Sequence, residues 1–306
     1  MRHVNLTITT KMAGLNRPWR IEDRTAPIVK SIADGGALPD RKSEDFSLLI
    51  MFLASLHLRC KSRGEKVRNL LKTVLRRGVD LLNAEGQDWN DLEIDVKYPS
   101  RLELSQLRST HDSLLDLAYI RVENGSSVGF VTSDTPVILT NPFARYKGLL
   151  NDSCGLQSLG LVIFLPLSPT VAVCALDPYV YRTASARYKS FSITESHEIQ
   201  LINAHHILQG LTTLYFSQYS ETILRGLVSQ WAQHRGCIAD SLEAVTVRRG
   251  GILEDGFHLI NRVPPKLEPR HQFLRILPGP KTTALDQGRS YVRNAARVRE
   301  LRYKYG

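Results

Sequence analysis

The stretch from residue 161 to residue 176 reads LVIFLPLSPTVAVCAL. Its two halves, 161–167 and 170–176, are rich in valine, isoleucine and other residues that favour β-strands. They are joined at Ser168-Pro169, and a proline cannot donate a hydrogen bond within the middle of a sheet. The stretch therefore predicts two antiparallel strands joined by a tight turn.

A second pair of β-rich segments precedes this stretch, at residues 117–123 and 127–132. Asn124-Gly125-Ser126 separates them, and Asn-Gly is a strong signal for a hairpin turn. The two hairpins together predict a central antiparallel sheet. Residues 140–156 lie between the hairpins and form a polar, glycine-containing segment, which is typical of a loop that closes over a site.

Helical patterns lie on both sides of the predicted sheet. Apolar residues repeat every three or four positions before it, and a Ser-x-x-Glu motif at Ser192 and Glu195 after it is typical of a helix start. The pattern predicts helices over 43–60, 61–77, 104–115, 192–216 and 221–234. We therefore expect an α+β protein with a helical N-terminal half, a central antiparallel sheet of hairpins and C-terminal helices.

This order of elements predicts one domain followed by an extension. The domain covers 1–247, with a helical part at 1–115 and the sheet and returning helices at 116–247. Residues 248–306 contain Gly-Gly, Pro-Pro and Pro-Gly-Pro punctuation, which is typical of a linker. The basic and apolar residues at the end of this extension recur at a helical period and predict a terminal amphipathic helix.

The amino-acid composition predicts a globular protein. The 306 residues are 42% apolar, which is enough for a substantial core. No run of about 18 apolar residues is present, and the first twenty residues lack the apolar centre of a signal peptide. The four cysteines form no Cys-x-x-Cys pair, so we expect reduced thiols in a soluble, cytoplasmic protein without a membrane partner.

The net charge of +10 is concentrated in two regions. Residues 61–80 carry seven basic and two acidic side chains, and residues 248–306 carry thirteen and five. Concentrated positive charge suits a nucleic-acid-binding surface, because each neutralised phosphate releases counterions. The predicted nucleic-acid-binding residues are Lys66, Arg68, Lys72, Arg76, Arg77, Arg289, Arg293, Arg297, Arg302 and Lys304. The alternative is that each basic group is only a solvated surface.

Asp134 is the first candidate for a chemical role. It lies in Thr132-Ser133-Asp134-Thr135-Pro136-Val137, between small hydroxyl residues and a proline at the end of a predicted strand. This arrangement fixes the backbone and holds one carboxylate in place. The same arrangement also suits a carboxylate that only caps its own turn.

Four further polar residues are candidates for a catalytic site together with Asp134. Glu22 would pair its carboxylate with that of Asp134, while His57 or Arg59 would supply a proton-transfer group or a cation, and a divalent cation would assist phosphodiester cleavage. A structural alternative is a buried ion pair between Glu22 and Arg59. Asn203, on a predicted helix, would either reach the same site or hydrogen-bond a loop backbone.

Two further patterns give weaker signals. Ser133 lies outside any Gly-x-Ser-x-Gly motif, so turn formation explains it better than nucleophilic catalysis. His205 and His206 are adjacent on a predicted helix and point in different directions, which argues against one shared metal ion.

Several of these segments occur in an order that resembles a known family. They are Glu22, Phe52-Leu53-Ala54, His57, Arg59, residues 130–137, residues 164–169 and Asn203. The chain resembles, over about residues 20–220, a bacterial domain family of unknown function with a central Thr-Ser-Asp-x-Pro motif. Members of that family usually begin with His-Tyr-Val-Pro, whereas this chain has Arg2-His3-Val4. Members occur among genes linked to phage defence, so the resemblance implies an immune effector.

Two classes of function follow. In the first, the chain is an anti-phage-type effector that binds nucleic acid and cleaves phosphodiesters around Asp134. In the second, it is a non-catalytic sensor module that binds nucleic acid, or a partner protein through its C-terminal helix. Replacement of Asp134 by asparagine separates the two classes, because only the first requires the carboxylate.

Overall fold

The protein is described by a computed structural model. It describes residues 19–60, 63–65, 67–69, 71–72, 76, 104–143, 155–182, 190–210, 212–217, 221–235, 243–249, 252–260, 269–276 and 293. The α-helices with defined bounds are α1 (Trp19–Ala33), α2 (Glu44–Arg59), α3 (Leu107–Leu114), α4 (Ser196–Gln209) and α5 (Glu221–Ala232). The described residues between 63 and 76 are also helical.

The described strands follow α3 in the sequence and lie before, between and after α4 and α5. They are β1 (Ala118–Asn124), β2 (Thr132–Ser133), β3 (Ile138–Thr140), β4 (Val162–Pro166), β5 (Val171–Leu176), β6 (Tyr181–Arg182), β7 (Ser190–Ile193), β8 (Leu214–Tyr215), β9 (Glu243–Arg249), β10 (Ile252–Ile260) and β11 (Arg275–Ile276). Five of them form the main sheet in the order β3-β4-β5-β1-β7. The α+β class is therefore confirmed.

The hairpin predicted at residues 161–176 is confirmed. Strands β4 and β5 pair antiparallel, with Phe164 opposite Cys174. The turn is held by the hydroxyl of Ser168, which accepts hydrogen bonds from the backbone N–H groups of Thr170 (3.3 Å) and Val171 (3.0 Å). The short polar side chain thus satisfies backbone donors at a point where the strand ladder has ended.

The hairpin predicted around Asn124-Gly125-Ser126 is wrong. Strand β1 pairs antiparallel with β5 and parallel with β7, so the sheet is mixed. The Asn124 side chain donates to the carbonyl oxygens of Val128 (2.6 Å) and Pro169 (3.1 Å). These bonds direct the chain after β1 toward the β4–β5 hairpin. Because both edges of β1 are already paired with β5 and β7, the next segment cannot pair with β1 as a hairpin would require.

Helices cover both faces of the sheet. Along β5, Val171, Val173 and Ala175 pack into a core with α1, α2 and α3. The alternate residues Ala172 and Cys174 pack into a second core that includes residues of α4. Because successive strand side chains point to opposite faces, the sheet is the middle layer between two helical layers. Burial of each large aliphatic side chain in these cores contributes about 1.5–3 kcal/mol.

The helix over 43–60 is confirmed, whereas the bounds predicted for α4 are wrong. The hydroxyl of Ser43 accepts a hydrogen bond from the Phe46 N–H at 3.1 Å and caps α2. Ser192 lies in β7 instead of capping α4, which follows Glu195. The helix ends at Gly210, whose Cα lies so close to Ser133 that any Cβ there would approach the Ser133 Cβ to 2.9 Å.

Parts of the linker-like extension predicted after residue 247 lie in β-strands. Strands β9 and β10 pair antiparallel, with Arg249 opposite Ile252, and only Gly250 and Gly251 separate them in the sequence. Strand β11 pairs with β6, and Leu274 is part of the second core. Among the described helices, none is long and apolar enough to cross a membrane.

Candidate functional site

Asp134, the residue after β2, is hydrogen-bonded to Thr212 and Thr213, which follow α4 in the sequence. Strand β2 pairs with β8, and the N–H of Asp134 donates to the carbonyl oxygen of Thr213 at 3.2 Å. The Asp134 Oδ2 accepts two hydrogen bonds from Thr212, one from its N–H and one from its hydroxyl, both at 2.9 Å. The half-buried carboxylate is therefore held in place by Thr212, which lies 78 residues further along the chain.

Ser133 and His206 form a buried polar pair beside Asp134. The Ser133 Oγ accepts a hydrogen bond from the Thr135 N–H at 3.1 Å and lies 3.3 Å from His206 Nδ1. Burial lowers the pKa of His206 to about 3, while a hydrogen bond with the Thr135 backbone opposes that change. His206 is thus neutral near pH 7, and the Ser133 hydroxyl has the turn-forming role favoured by the sequence.

Asn203 connects α4 to the loop before β2. Its Nδ2 donates to the carbonyl oxygen of Gly129, and its Oδ1 accepts from the N–H of Val131, both at 2.9 Å. The side chain is fully buried. Of the two roles considered for Asn203, the structure shows the hydrogen bonding of a loop backbone.

Replacement of Asn203 by leucine is expected to lower the free energy of unfolding by about 2–4 kcal/mol, because a buried N–H and a buried carbonyl would lose their partners. Chemical denaturation with an unchanged m-value would measure this loss. The matched control is Gln233→Leu, since the Gln233 amide makes an exposed hydrogen bond to Gln230. Equal stability of the two variants would contradict the assignment.

Glu22 and Arg59 lie together in the opposite helical layer. They join α1 to α2 through an ion pair in which the Arg59 guanidinium donates to Glu22 Oε1. The pair was expected to be buried, but the side chains are 31% and 42% exposed for Arg59 and Glu22, respectively. His57 lies on the same helix as Arg59, with its Nε2 3.0 Å from Arg63 Nη1.

The five predicted catalytic residues are therefore divided between the two helical layers. Glu22, His57 and Arg59 lie on helices that pack against one face of the sheet. Asn203 lies on α4, which packs against the other face, and Asp134 lies beside the end of α4. Among the described residues, no group of three or more His, Cys, Asp and Glu side chains has an arrangement that would hold a metal ion.

A buried network that the sequence did not reveal joins α4 to the segment before β11. His205 Nε2 lies 3.0 Å from His271 Nε2, and His271 Nδ1 lies 3.5 Å from Glu198 Oε2. Burial lowers the pKa of His271, and Glu198 opposes this effect. Burial alone would raise the pKa of Glu198, but His271 and the N–H of Gln272 bring it below its ordinary value. His271 was missed because its partners are distant in the sequence.

Three of the predicted nucleic-acid-binding residues lie in the described helical residues between 63 and 76. Arg68 and Arg76 are exposed, and Lys72 is half-buried. The other predicted nucleic-acid-binding residues, apart from Arg293, lie outside the described residues; they are Lys66, Arg77, Arg289, Arg297, Arg302 and Lys304. Most of the predicted loop at 140–156 also lies outside them, at residues 144–154.

The prediction for Arg293 is wrong. Its side chain is 2% exposed and forms an ion pair with Asp116, with 3.1 Å between Nε and Oδ2. Its Nη2 also donates to the carbonyl oxygens of Ser113 and Leu156. A guanidinium enclosed by these acceptors cannot contact a phosphate, although its sequence context resembles that of a surface arginine.

Comparison with known proteins supports membership of an uncharacterised domain family. Residues 19–220 match the family described as Protein of unknown function (DUF4238). No curated protein and no solved structure matches the chain. The matched residues include α1, α2, the main sheet and α4, and therefore all five candidate catalytic residues. The chain belongs to the DUF4238 family of proteins of unknown function.

Proposed function

We propose that this protein binds nucleic acid through a basic helical face formed by Arg68, Lys72 and Arg76. The observation that carries this proposal is that these three residues are spaced by four in the sequence and are each helical, with both arginines exposed. Residues four apart lie on one side of a helix, about 6 Å apart along its axis. A row of cations at this spacing suits the phosphates of a nucleic-acid strand.

The positive charge of the chain, and of residues 61–80 in particular, supports nucleic-acid binding. The whole chain has a net charge of +10, and residues 61–80 contribute five positive charges in excess of their negative charges. Positive charge on one side of a protein raises the rate of encounter with a polyanion and releases counterions on binding. We therefore propose binding to the phosphate backbone without sequence preference.

Removal of three positive charges by the substitutions R68Q, K72Q and R76Q is expected to weaken nucleic-acid binding on the order of 100-fold at moderate salt, because three phosphate contacts are lost. Fluorescence anisotropy with a labelled oligonucleotide would measure the change. The matched control carries R24Q, K30Q and R225Q, which remove the same charge from exposed residues elsewhere. Equal weakening by both sets would contradict a defined binding face.

A second candidate is phosphodiester cleavage around Asp134, assisted by a divalent cation. It is favoured by the half-buried Asp134 carboxylate, which Thr212 holds with two hydrogen bonds. A carboxylate fixed in this way is suited to hold a cation or to orient an attacking water molecule. If cleavage is absent, the protein is instead a non-catalytic nucleic-acid sensor or partner-binding module.

The substitution Asp134→Asn is expected to lower cleavage of a labelled oligonucleotide at least about 100-fold, while binding remains unchanged. Asparagine keeps an oxygen that Thr212 can bind, so the fold should remain intact. Thr212→Val is the matched control, because it removes one hydrogen bond and leaves the carboxylate. Unchanged cleavage by the Asp134→Asn variant would rule out a catalytic role for this residue.

We also propose that this activity belongs to an anti-phage effector. This setting is suggested by the resemblance to proteins encoded near phage-defence genes, and it is independent of the choice between cleavage and sensing. Plaque counts on bacteria that express the native chain or its R68Q/K72Q/R76Q variant would test it. Protection that is lost in the variant supports the proposal, and the absence of protection by the native chain contradicts it.

A further inference from the structure

The niche around Arg293 is formed by residues that are far from it in the sequence. It lies between the C-terminal end of α3 and the backbone of Leu156 and Gln157. The Arg293 Nε donates to Asp116 Oδ2 at 3.1 Å, and its Nη2 donates to the carbonyl oxygens of Ser113 (2.6 Å) and Leu156 (2.5 Å). The Arg293 N–H also donates to the Gln157 carbonyl oxygen at 2.7 Å. Acceptors thus meet the guanidinium at two of its nitrogens, Nε and Nη2.

The walls of the niche are held together by hydrogen bonds that do not involve Arg293. The Gln157 Nε2 donates to Ser113 Oγ at 3.1 Å, which joins the turn at residues 155–158 to α3. The turn itself is closed by Ser158, whose N–H donates to the Gly155 carbonyl oxygen and whose Oγ accepts from the Gly155 N–H. The acceptors are therefore positioned by the surrounding fold rather than by the arginine.

The electrostatic environment of the niche favours a cation. Asp116 is almost completely buried, and Asp177 is a second buried carboxylate that interacts with it. Burial raises the pKa of Asp177, hydrogen bonds from the N–H groups of Gly160 and Tyr179 and the charge of Arg293 oppose this, and Asp116 raises the pKa further. Without a positive charge, the interior would therefore contain carboxylates with no neutralising partner, which is energetically costly.

The arrangement of acceptors selects a planar ligand. An ammonium group has its charge on one nitrogen, whereas a guanidinium presents N–H groups in fixed directions within one plane. The Asp116 carboxylate meets the Nε side of that plane, and the two carbonyl oxygens meet Nη2. A charge-assisted, directional set of this kind is the usual means of recognising arginine.

We propose that this niche is a guanidinium-binding site in which Arg293 is a ligand supplied by the same chain. An arginine-type guanidinium from solution can then bind at the same position when the side chain of residue 293 is removed. The Arg293 side chain thereby joins residue 293 to the C-terminal end of α3, and an arginine-bearing peptide would be its chemical competitor.

The test uses the full chain with the substitution Arg293→Ala. Guanidinium chloride at low millimolar concentration, far below its denaturing range, is expected to raise the thermal unfolding midpoint of this variant and to leave the native chain unchanged. A tenfold excess over the dissociation constant corresponds to about 1.4 kcal/mol of stabilisation. Methylammonium chloride at the same concentration is the control for charge and ionic strength.

Two further measurements make the outcome decisive. The double variant R293A/D116N is expected to lose the response to guanidinium, because the charged acceptor is gone. If Arg293→Ala does not fold in buffer, the yield of refolded protein with guanidinium is compared with the yield with methylammonium. Equal effects of the two cations, or a response that persists in the double variant, would overturn the proposal.

Discussion

Replacement of Asp116 by alanine is expected to lower the free energy of unfolding by about 3–5 kcal/mol, because Arg293 would remain buried without its charged partner. The Asp116 side chain is 1% exposed, so water cannot replace the lost carboxylate. An exposed pair offers the matched control: Glu221→Ala removes the partner of Arg225 on α5 and is expected to cost less than about 1 kcal/mol. Denaturant titration of both variants measures the difference.

Removal of both charges should be much less harmful than removal of one. The double variant D116L/R293M is expected to recover most of the lost stability, because neither charge remains uncompensated and the volume is largely kept. A double-mutant cycle on these positions measures the coupling between the two side chains. A loss as small as that of Glu221→Ala, or exact additivity of the two single changes, would contradict a buried ion pair.

Acidification is expected to destabilise the protein through His206. The pKa of His206 is about 3 in the folded protein, below its ordinary value of 6.5, so the unfolded chain binds the proton more tightly. The contribution of His206 is fully present above pH 6.5 and is lost as the pH falls toward 3, at about 1.4 kcal/mol per pH unit. The loss would reach on the order of 5 kcal/mol at the end of that range.

Neighbouring groups modify this pH dependence. The lowered pKa values of His271 and Glu198 act in the same direction as His206, because both groups also favour loss of stability on acidification. The raised pKa of Asp177 acts in the opposite direction, since its protonation in the folded state relieves the cost of a buried charge. His206→Asn isolates the first contribution, because an amide nitrogen can replace Nδ1 without titrating.

The measurement is the free energy of unfolding of the native chain and of the His206→Asn variant between pH 7 and acidic pH. The native chain should lose stability more steeply as the pH falls. Parallel curves for the two proteins would show that His206 does not titrate as its burial requires.

The sequence predicted those parts of the fold whose determinants are local. Ser43 and the apolar stripe that follows it defined α2, and Ser168-Pro169 defined the turn between β4 and β5, because a cap or turn depends on residues close in sequence. The continuous burial of β5 shows that both faces of the sheet are covered. Its unbroken apolar run was a signal for this second helical layer.

Long-range pairings could not be predicted in the same way. The Asn124 side chain bonds Pro169, and β1 pairs with β5 and β7, so the local turn signal at Asn124-Gly125 was overridden by tertiary contacts. Arg293 and Asp116 are 177 residues apart, and no local pattern distinguishes a buried arginine from a surface arginine.

The candidate site was predicted in part. The sequence predicted a fixed carboxylate at Asp134 from its hydroxyl and proline neighbours, whereas both described hydrogen bonds to Oδ2 come from Thr212, 78 residues away. Glu22 and Arg59 form the ion pair of the structural alternative, although it is partly exposed instead of buried, in the helical layer opposite Asn203. The pairing of carboxylate and cation could be inferred from residue types, whereas their distribution between two layers depends on the topology of the sheet.

The salt dependence of nucleic-acid binding tests the central claim most directly. The logarithm of the native binding constant should fall linearly with the logarithm of salt concentration, and the slope for double-stranded DNA should be shallower by about 3 in the R68Q/K72Q/R76Q variant. The R24Q/K30Q/R225Q control should keep the native slope. Native binding without salt dependence, or equal slopes for the native chain and the R68Q/K72Q/R76Q variant, would contradict the basic helical face as the nucleic-acid-binding surface.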